Sequence, residues 1–181
     1  GVAVGLRLVG DEESADPSAL GPDDAAEIAK RLEDAGLVDF LHVSVGVSGI
    51  GMVRPLYVPH LCGVYAAHAV KQAVRATPVF AVHRVLSPAE ADGIVERGEA
   101  DAVTLVLALI ADPDWPEKAR SGNAAAIRRC TGVNQGCYGN LTMGWPITCV
   151  TNPAVGREAT LGAGTLEQAA RVKRVVVVGG G

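Results

Sequence analysis

An α/β fold built on a parallel sheet follows from two features of the 181 residues. Short β-branched runs alternate with helical patterns, and each run is followed by a helical or loop-rich crossover long enough to bring the next strand back parallel. Val2–Val9 is the first strand. Pro22–Ala35 follows as an amphipathic helix, with Ala26, Ile28, Ala29 and Leu32 inward and Gly36 closing it. Phe40–Val45 is the second strand, and a Gly-rich loop from Gly46 to His60 leads into a helix over Gly63–Arg75. Val79–Val82 is the third strand. Ser87 and Glu90 have capping-box spacing for a helix that ends at Gly98. Ala102–Leu107 is the fourth strand, and a helix running to about Arg120 follows it. Periodicity leaves two arrangements open, a doubly wound sheet or a closed barrel. In a closed barrel, ligands sit at the C-terminal ends of the strands.

The size and composition allow one ordinary core, 49% of the residues being apolar. The formal charge of −4, without a basic stripe, argues against nucleic acid or an anionic membrane as the main partner and points to small molecules. No leader pattern or membrane-length apolar run occurs, so a cytoplasmic location is expected. The chain opens on a strand-like run and stops at Gly179-Gly-Gly181 after Arg-Val-Val-Val-Val, which leads us to expect an internal piece of a longer polypeptide. A piece of a sheet with two bare edges is expected to be unstable alone or to associate with other copies.

Cys130, Cys137 and Cys149 fall within twenty residues. In a reducing compartment such a cluster points to a shared metal more than to disulfides. Three thiolates suit an iron–sulfur cluster, with zinc or unligated thiols as the alternatives. Cys62 stands apart at a helix start and is expected to pack as a small hydrophobe. His42 and His68 are expected to be a strand residue and a helix-surface residue without a role. The run Arg174–Val178 before Gly179 and Gly181 has the form of the strand and first glycines of a dinucleotide fingerprint. Thr165–Arg171 is expected to be a short surface helix.

Five ordered segments carry a resemblance: Val4-Gly-Leu-Arg-Leu8, Pro78-Val-Phe-Ala-Val-His-Arg-Val-Leu86, Gly98-Glu-Ala-Asp-Ala-Val103, Ala108-Leu-Ile-Ala-Asp-Pro-Asp-Trp115 and the cysteine loop. Together they resemble the old yellow enzyme family. The order is similar to its iron–sulfur branch, which holds 2,4-dienoyl-CoA reductase and trimethylamine dehydrogenase, and Asn134-Gln-Gly-Cys-Tyr-Gly-Asn-Leu-Thr142 resembles the mycofactocin-associated members. The resemblance implies the C-terminal half of a (β/α)8 TIM barrel over residues 1–124 and an iron–sulfur cluster loop over 125–156. A linker over 157–172 and the first strand of a Rossmann-like FAD/NAD(P)-binding domain over 173–181 would follow. The activity implied is that of an NAD(P)H:flavin oxidoreductase of the ene-reductase type. Electrons would pass from nicotinamide through FAD and a [4Fe–4S] cluster to FMN, and hydride from FMN would reach an activated alkene, an enone or dienoyl-CoA. The fragment alone would be inactive.

The resemblance also assigns residues. Arg7 would face the flavin pyrimidine edge, where a fixed cation favours negative charge on reduced flavin; the alternative is a strand-end pair with Asp11 or Glu12. His83 and Arg84, with Val106 and Leu107, would lie at the two phosphate-binding segments. Relatives usually carry arginine at the position of Leu107, and one lost charge-assisted contact costs roughly 1.5–3 kcal/mol, about ten- to a hundredfold in FMN affinity. The family spacing C-x2-C-x3-C-x11-C fits Cys130, Cys137 and Cys149, while Val133 replaces the second ligand. Gly179 and Gly181 would belong to the FAD site. No catalytic residue is assigned: the loop carries no histidine at Ser48-Gly-Ile-Gly51, and His60 and Tyr57 would be proton donors only if it folded inward. A degenerate, non-catalytic or zinc-binding scaffold is the alternative.

Overall fold

The computed structural model describes residues 1–46 and 53–179, and the expectations placed on Ser48–Gly51 and Gly181 lie outside them. Four parallel strands stand in chain order, β1 Gly5–Asp11, β2 Phe40–Val45, β3 Val79–Ala81 and β4 Ala102–Val103. The crossovers are α1 Pro22–Asp34, α2 Val64–Ala73 and α3 Pro88–Glu96; α4 Leu107–Ala111 and α5 Trp115–Arg120 follow β4. Two short helices come later, α6 Asn140–Thr142 and α7 Glu158–Leu161. No described helix is long and apolar enough to cross a membrane.

Side chains alternate across the sheet, so each strand offers one set of residues to the helices and another to the opposite face. Leu41, Val43, Val45, Val79 and Ala81 are buried with Ala25 and Ala29 of α1, Ala66, Ala67 and Val70 of α2 and Ile94 of α3 in one core. Small residues on α1 and α2 let these helices pack closely on the branched strand residues. The opposite face carries Arg7, His42, Phe80 and Ala102 in register, none of them fully buried. Phe40 and Phe80 stack there with centroids 5.1 Å apart.

Local signals set the helix boundaries. Ser87 Oγ accepts from Glu90 N–H at 3.3 Å and Glu90 accepts from Ser87 N–H at 3.0 Å, which is the expected capping box. At α1 the Asp24 carboxylate accepts from Gly21 N–H at 3.0 Å, and Gly36 takes a left-handed φ of 63°. Glu33, near the end of α1, captures the turn before β3: its carboxylate accepts from the N–H groups of Arg75, Ala76 and Thr77 at 2.7–2.8 Å. These bonds, Arg75 and Ala76 first, pull its carboxyl down to about 2. Because the folded value lies below the unfolded one, the contribution is complete above about pH 4.3 and is lost as pH falls through 2. We expect Glu33→Ala to lower the stability of the full-length protein by about 2 kcal/mol at neutral pH, measured by denaturant unfolding, with the deficit shrinking towards pH 2.

Three expectations change. β4 stops at Val103, and Leu107 opens α4 instead of closing a strand. The apolar run Val103–Ala111 suits either state, and only Ala102 and Val103 find register partners on β3. Arg174–Val178 forms no strand: Val175 to Val178 are 76–92% exposed, and no backbone hydrogen bond joins the segment to another among the described residues. A β-branched run needs a neighbouring strand to pair with. The short helix expected over Thr165–Arg171 is absent, and α7 stands earlier, at Glu158–Leu161.

Candidate functional site

The loops that follow β2, β3 and β4 enclose a cavity of about 220 Å³. Its walls are Val53 and Arg54, the segment Val82–Leu86, the segment Thr104–Ala108, Arg7 from β1, and Cys130. Ligand sites of parallel sheets lie at this C-terminal end of the strands. Arg7, His83, Arg84, Val106 and Leu107 all line this cavity.

The turn after β3 is held in an unusual backbone. His83 has φ 88° and Arg84 φ 52°, in the left-handed region that costs a side-chain-bearing residue about 1–2 kcal/mol. This turn sends the His83 ring into the core, where its Nε2 accepts from Val45 N–H at 3.0 Å. Burial first, then the charge of Arg54, pushes the ring's pKa down to about 4, so His83 is neutral at physiological pH and adds no positive charge to the cavity. Gly63 is needed beneath it, since a Cβ there would stand 2.6 Å from the ring.

Arg84 bridges the cavity and the cysteine loop. Its Nη1 donates to Arg54 carbonyl at 3.4 Å, and its Nε is buried without a partner among the described residues. Arg54 pairs with Glu13, yet its own Nε is also buried and has no partner among the described residues. Buried donors are nearly always satisfied, and two guanidinium groups lining one cavity, each with an Nε–H unpaired among the described residues, suit an anionic ligand. A phosphate has the oxygens for both, and the residues present fit a phosphate-bearing flavin. Leu107 lines the same wall and donates nothing from its side chain. Arg54 was missed in the sequence: it lies in an irregular loop, and only the fold brings it to Arg84.

The cysteine loop is tied to this wall. Gly132, at φ 73°, packs against the Arg84 guanidinium and the backbone of Leu56, which leaves no room for a Cβ. Asn134, itself at φ 60°, donates to Val53 carbonyl at 3.0 Å. The loop's two stems meet near Asp112, which is fully buried. Its carboxylate accepts from Lys118 Nζ at 2.6 Å and from Arg128 N–H at 2.9 Å, while Arg128 Nη1 donates to Asn152 at 3.4 Å. Asn152 in turn donates to Ile110 carbonyl at 2.9 Å. Further in, Thr148 N–H donates to Gly136 carbonyl at 2.7 Å, which brings the neighbours of Cys149 and Cys137 together.

Cys130, Cys137 and Cys149 are free and half-buried. Burial pushes the Cys130 thiol up, a hydrogen bond from Gly132 N–H opposes this, and the other two cysteines push it further up. Cys130 therefore lies within electrostatic reach of Cys137 and of Cys149. Among the described residues, however, no three His, Cys, Asp or Glu side chains are close enough to hold a metal ion. The donor set suits iron–sulfur chemistry only in part, with three sulfurs and Val133 where a fourth would stand. Cys62 lies in reach of Arg54 and Arg84 rather than of the other thiols, and burial raises its pKa. Tyr57 is 69% exposed, and His60 bonds to Glu90 at 2.7 Å on α3. Neither lines the cavity.

No family model matches the chain. It is 39% identical over 162 residues to an NADH oxidase from Thermoanaerobacter brockii, covering 88% of this chain and 24% of that protein. Among solved structures, 6-hydroxypseudooxynicotine amine oxidase from Pseudomonas geniculata superposes with a TM-score of 0.79 at 25% identity, over 88% of this chain and 23% of that one. A 2-naphthoyl-CoA reductase bound to 2-naphthoyl-CoA gives a TM-score of 0.72 at 26% identity, over 86% and 23%. The chain belongs to the old yellow enzyme and iron–sulfur flavoenzyme family. It spans about a quarter of the length of the relatives it matches. These solved neighbours are TIM-barrel-type flavoenzymes, and the α/β fold on a parallel sheet seen here accords with that class. The family's chemistry is oxidoreduction.

Proposed function

We propose that this chain is the flavin-holding part of an NAD(P)H-dependent oxidoreductase that reduces an activated alkene, an enone or an enoyl thioester, by hydride transfer from FMN. The guanidinium groups of Arg54 and Arg84 lining the cavity, each with an Nε unpaired among the described residues, carry the proposal, because they suit an anion where a flavin phosphate would lie. FMN bound there supplies the hydride. The chain's own residues position it: Arg84 and Arg54 would bind phosphate oxygens, the backbone of Val106 and Leu107 would close the far wall, and Arg7 would place a cation along the ring. In the full-length protein, residues 1–124 would be half of a TIM barrel and 125–156 the loop for an iron–sulfur cluster, with FAD and NAD(P)H bound elsewhere in the chain.

The second reading is a scaffold descended from the family that binds zinc or nothing at its cysteines. The side chains of Leu107 and Val133 favour it, since neither can contact the ligand expected beside it. Iron, acid-labile sulfide, zinc and flavin per chain, measured on the full-length protein purified without oxygen and on Val133→Cys, separate the two. We expect FMN near one per chain in both proteins and a higher iron and sulfide content in Val133→Cys. A colourless, zinc-containing protein with neither flavin nor sulfide would reverse the choice.

A further inference from the structure

Arg7 has an unusual partner for a strand arginine. The β1–β2 register sets it opposite His42 on the same face, and its Nη1 donates to His42 Nδ1 at 3.2 Å. The carboxylates that follow on β1 and its loop are engaged elsewhere. Asp11 accepts from Tyr65 Oη at 2.6 Å and from Glu13 N–H at 2.7 Å, and Glu12 accepts from Leu20 N–H at 3.1 Å. A guanidinium can only donate, so Nδ1 is bare and the imidazole proton sits on Nε2, a buried atom without a partner among the described residues. Burial, and then the charge of Arg7, lower the pKa of His42, so the ring is neutral.

A neutral acceptor does what a carboxylate cannot. It fixes the direction of the guanidinium and leaves the positive charge uncancelled, available to whatever fills the cavity that Arg7 lines. We propose that His42 is a positioning residue for the Arg7 cation, aiming it at the electron-rich edge of the bound flavin without neutralising it. This rests on the flavin site proposed above. Such a cation is worth more to the reduced flavin, which carries extra negative charge, than to the oxidised one. Losing its orientation should therefore weaken binding of the reduced flavin selectively.

The test is the two-electron midpoint potential of the flavin in the full-length protein, with the flavin dissociation constant, for three substitutions. His42→Leu removes the acceptor; the reduced flavin should bind about tenfold more weakly relative to the oxidised, a fall of about 30 mV. His42→Gln restores a neutral acceptor and should stay within about twofold of the unaltered protein. His42→Glu supplies an acceptor that also cancels the charge, and its potential should fall at least as far as that of His42→Leu. Equal falls for His42→Leu and His42→Gln would assign the effect to packing and overturn the proposal. So would a His42→Leu potential equal to that of the unaltered protein. An unaltered protein that binds no flavin would remove the flavin site itself, and this proposal with it.

Discussion

Arg84→Ala in the full-length protein is expected to weaken FMN binding about ten- to a hundredfold while changing riboflavin binding by less than about threefold. The two ligands differ by the phosphate, and Arg84 brings a guanidinium to the cavity wall whose Nε has no partner among the described residues. Removing the side chain takes away a charge-assisted contact worth about 1.5–3 kcal/mol to a phosphate and little that a neutral ligand uses. Backbone strain supplies an internal control. Arg84 sits at φ 52°, a conformation that glycine adopts freely, so Arg84→Gly should lose FMN like the alanine variant yet gain about 1 kcal/mol in ligand-free stability relative to it. Titration by flavin fluorescence and denaturant unfolding of the flavin-free protein read the two quantities separately. Equal losses for FMN and riboflavin would mean that Arg84 supports the ring or the loop and not the phosphate.

What the sequence disclosed follows from the range of each signal. Periodicity of two in Leu41, Val43 and Val45, and apolar positions at helical spacing on α2 such as Ala66 and Val70, mark elements whose burial is decided within a few residues. Ser87 and Glu90 lie three apart, so their capping box was readable. Helix α1 kept its expected start at Pro22 but buries Ala25 and Ala29, with Ala26 and Ile28 left out of the core. Glu33 holding the N–H groups of Arg75 to Thr77, some forty residues away, left no local trace. The same holds for Arg54 beside Arg84.

The site residues show the same division. Arg7, His83, Arg84, Val106 and Leu107 were named from a family pattern, and the fold gathers them because Arg7 stands within β1 while the other four follow β3 and β4, all lining one cavity. The inward turn of His83 was hidden, since nothing in a His-Arg pair announces two successive left-handed residues. His42 looked like one more strand position until the register set it against Arg7. For the cysteines, spacing gave the three sulfurs and the gap at Val133, while their mutual reach depends on the Asp112 and Gly136–Thr148 latches, which are tertiary. Val175–Val178 misled for the opposite reason. Its β-branched composition is a genuine local preference, and no neighbouring strand answers it.

Leu107→Arg should act in the opposite sense to Arg84→Ala. Leu107 is half-buried, opens α4 and lines the cavity wall with Arg84, so an arginine there would extend into space already bordered by Arg7, Arg54 and Arg84. Without a ligand, a fourth cation meets three others and, among the described residues, only Glu13 pairs with one of them, so the flavin-free protein should lose about 1 kcal/mol or less of stability. A phosphate dianion reverses that balance. Its charge repays the crowding and the new guanidinium adds a charge-assisted contact, so FMN should bind about ten- to a hundredfold more tightly, with riboflavin unchanged or weaker. Thermal unfolding with and without FMN would show the crossing: a lower midpoint for the flavin-free variant and a higher one at saturating FMN. A variant that gained equally for riboflavin would indicate a contact with the ring, and one that gained for neither would place the phosphate away from α4.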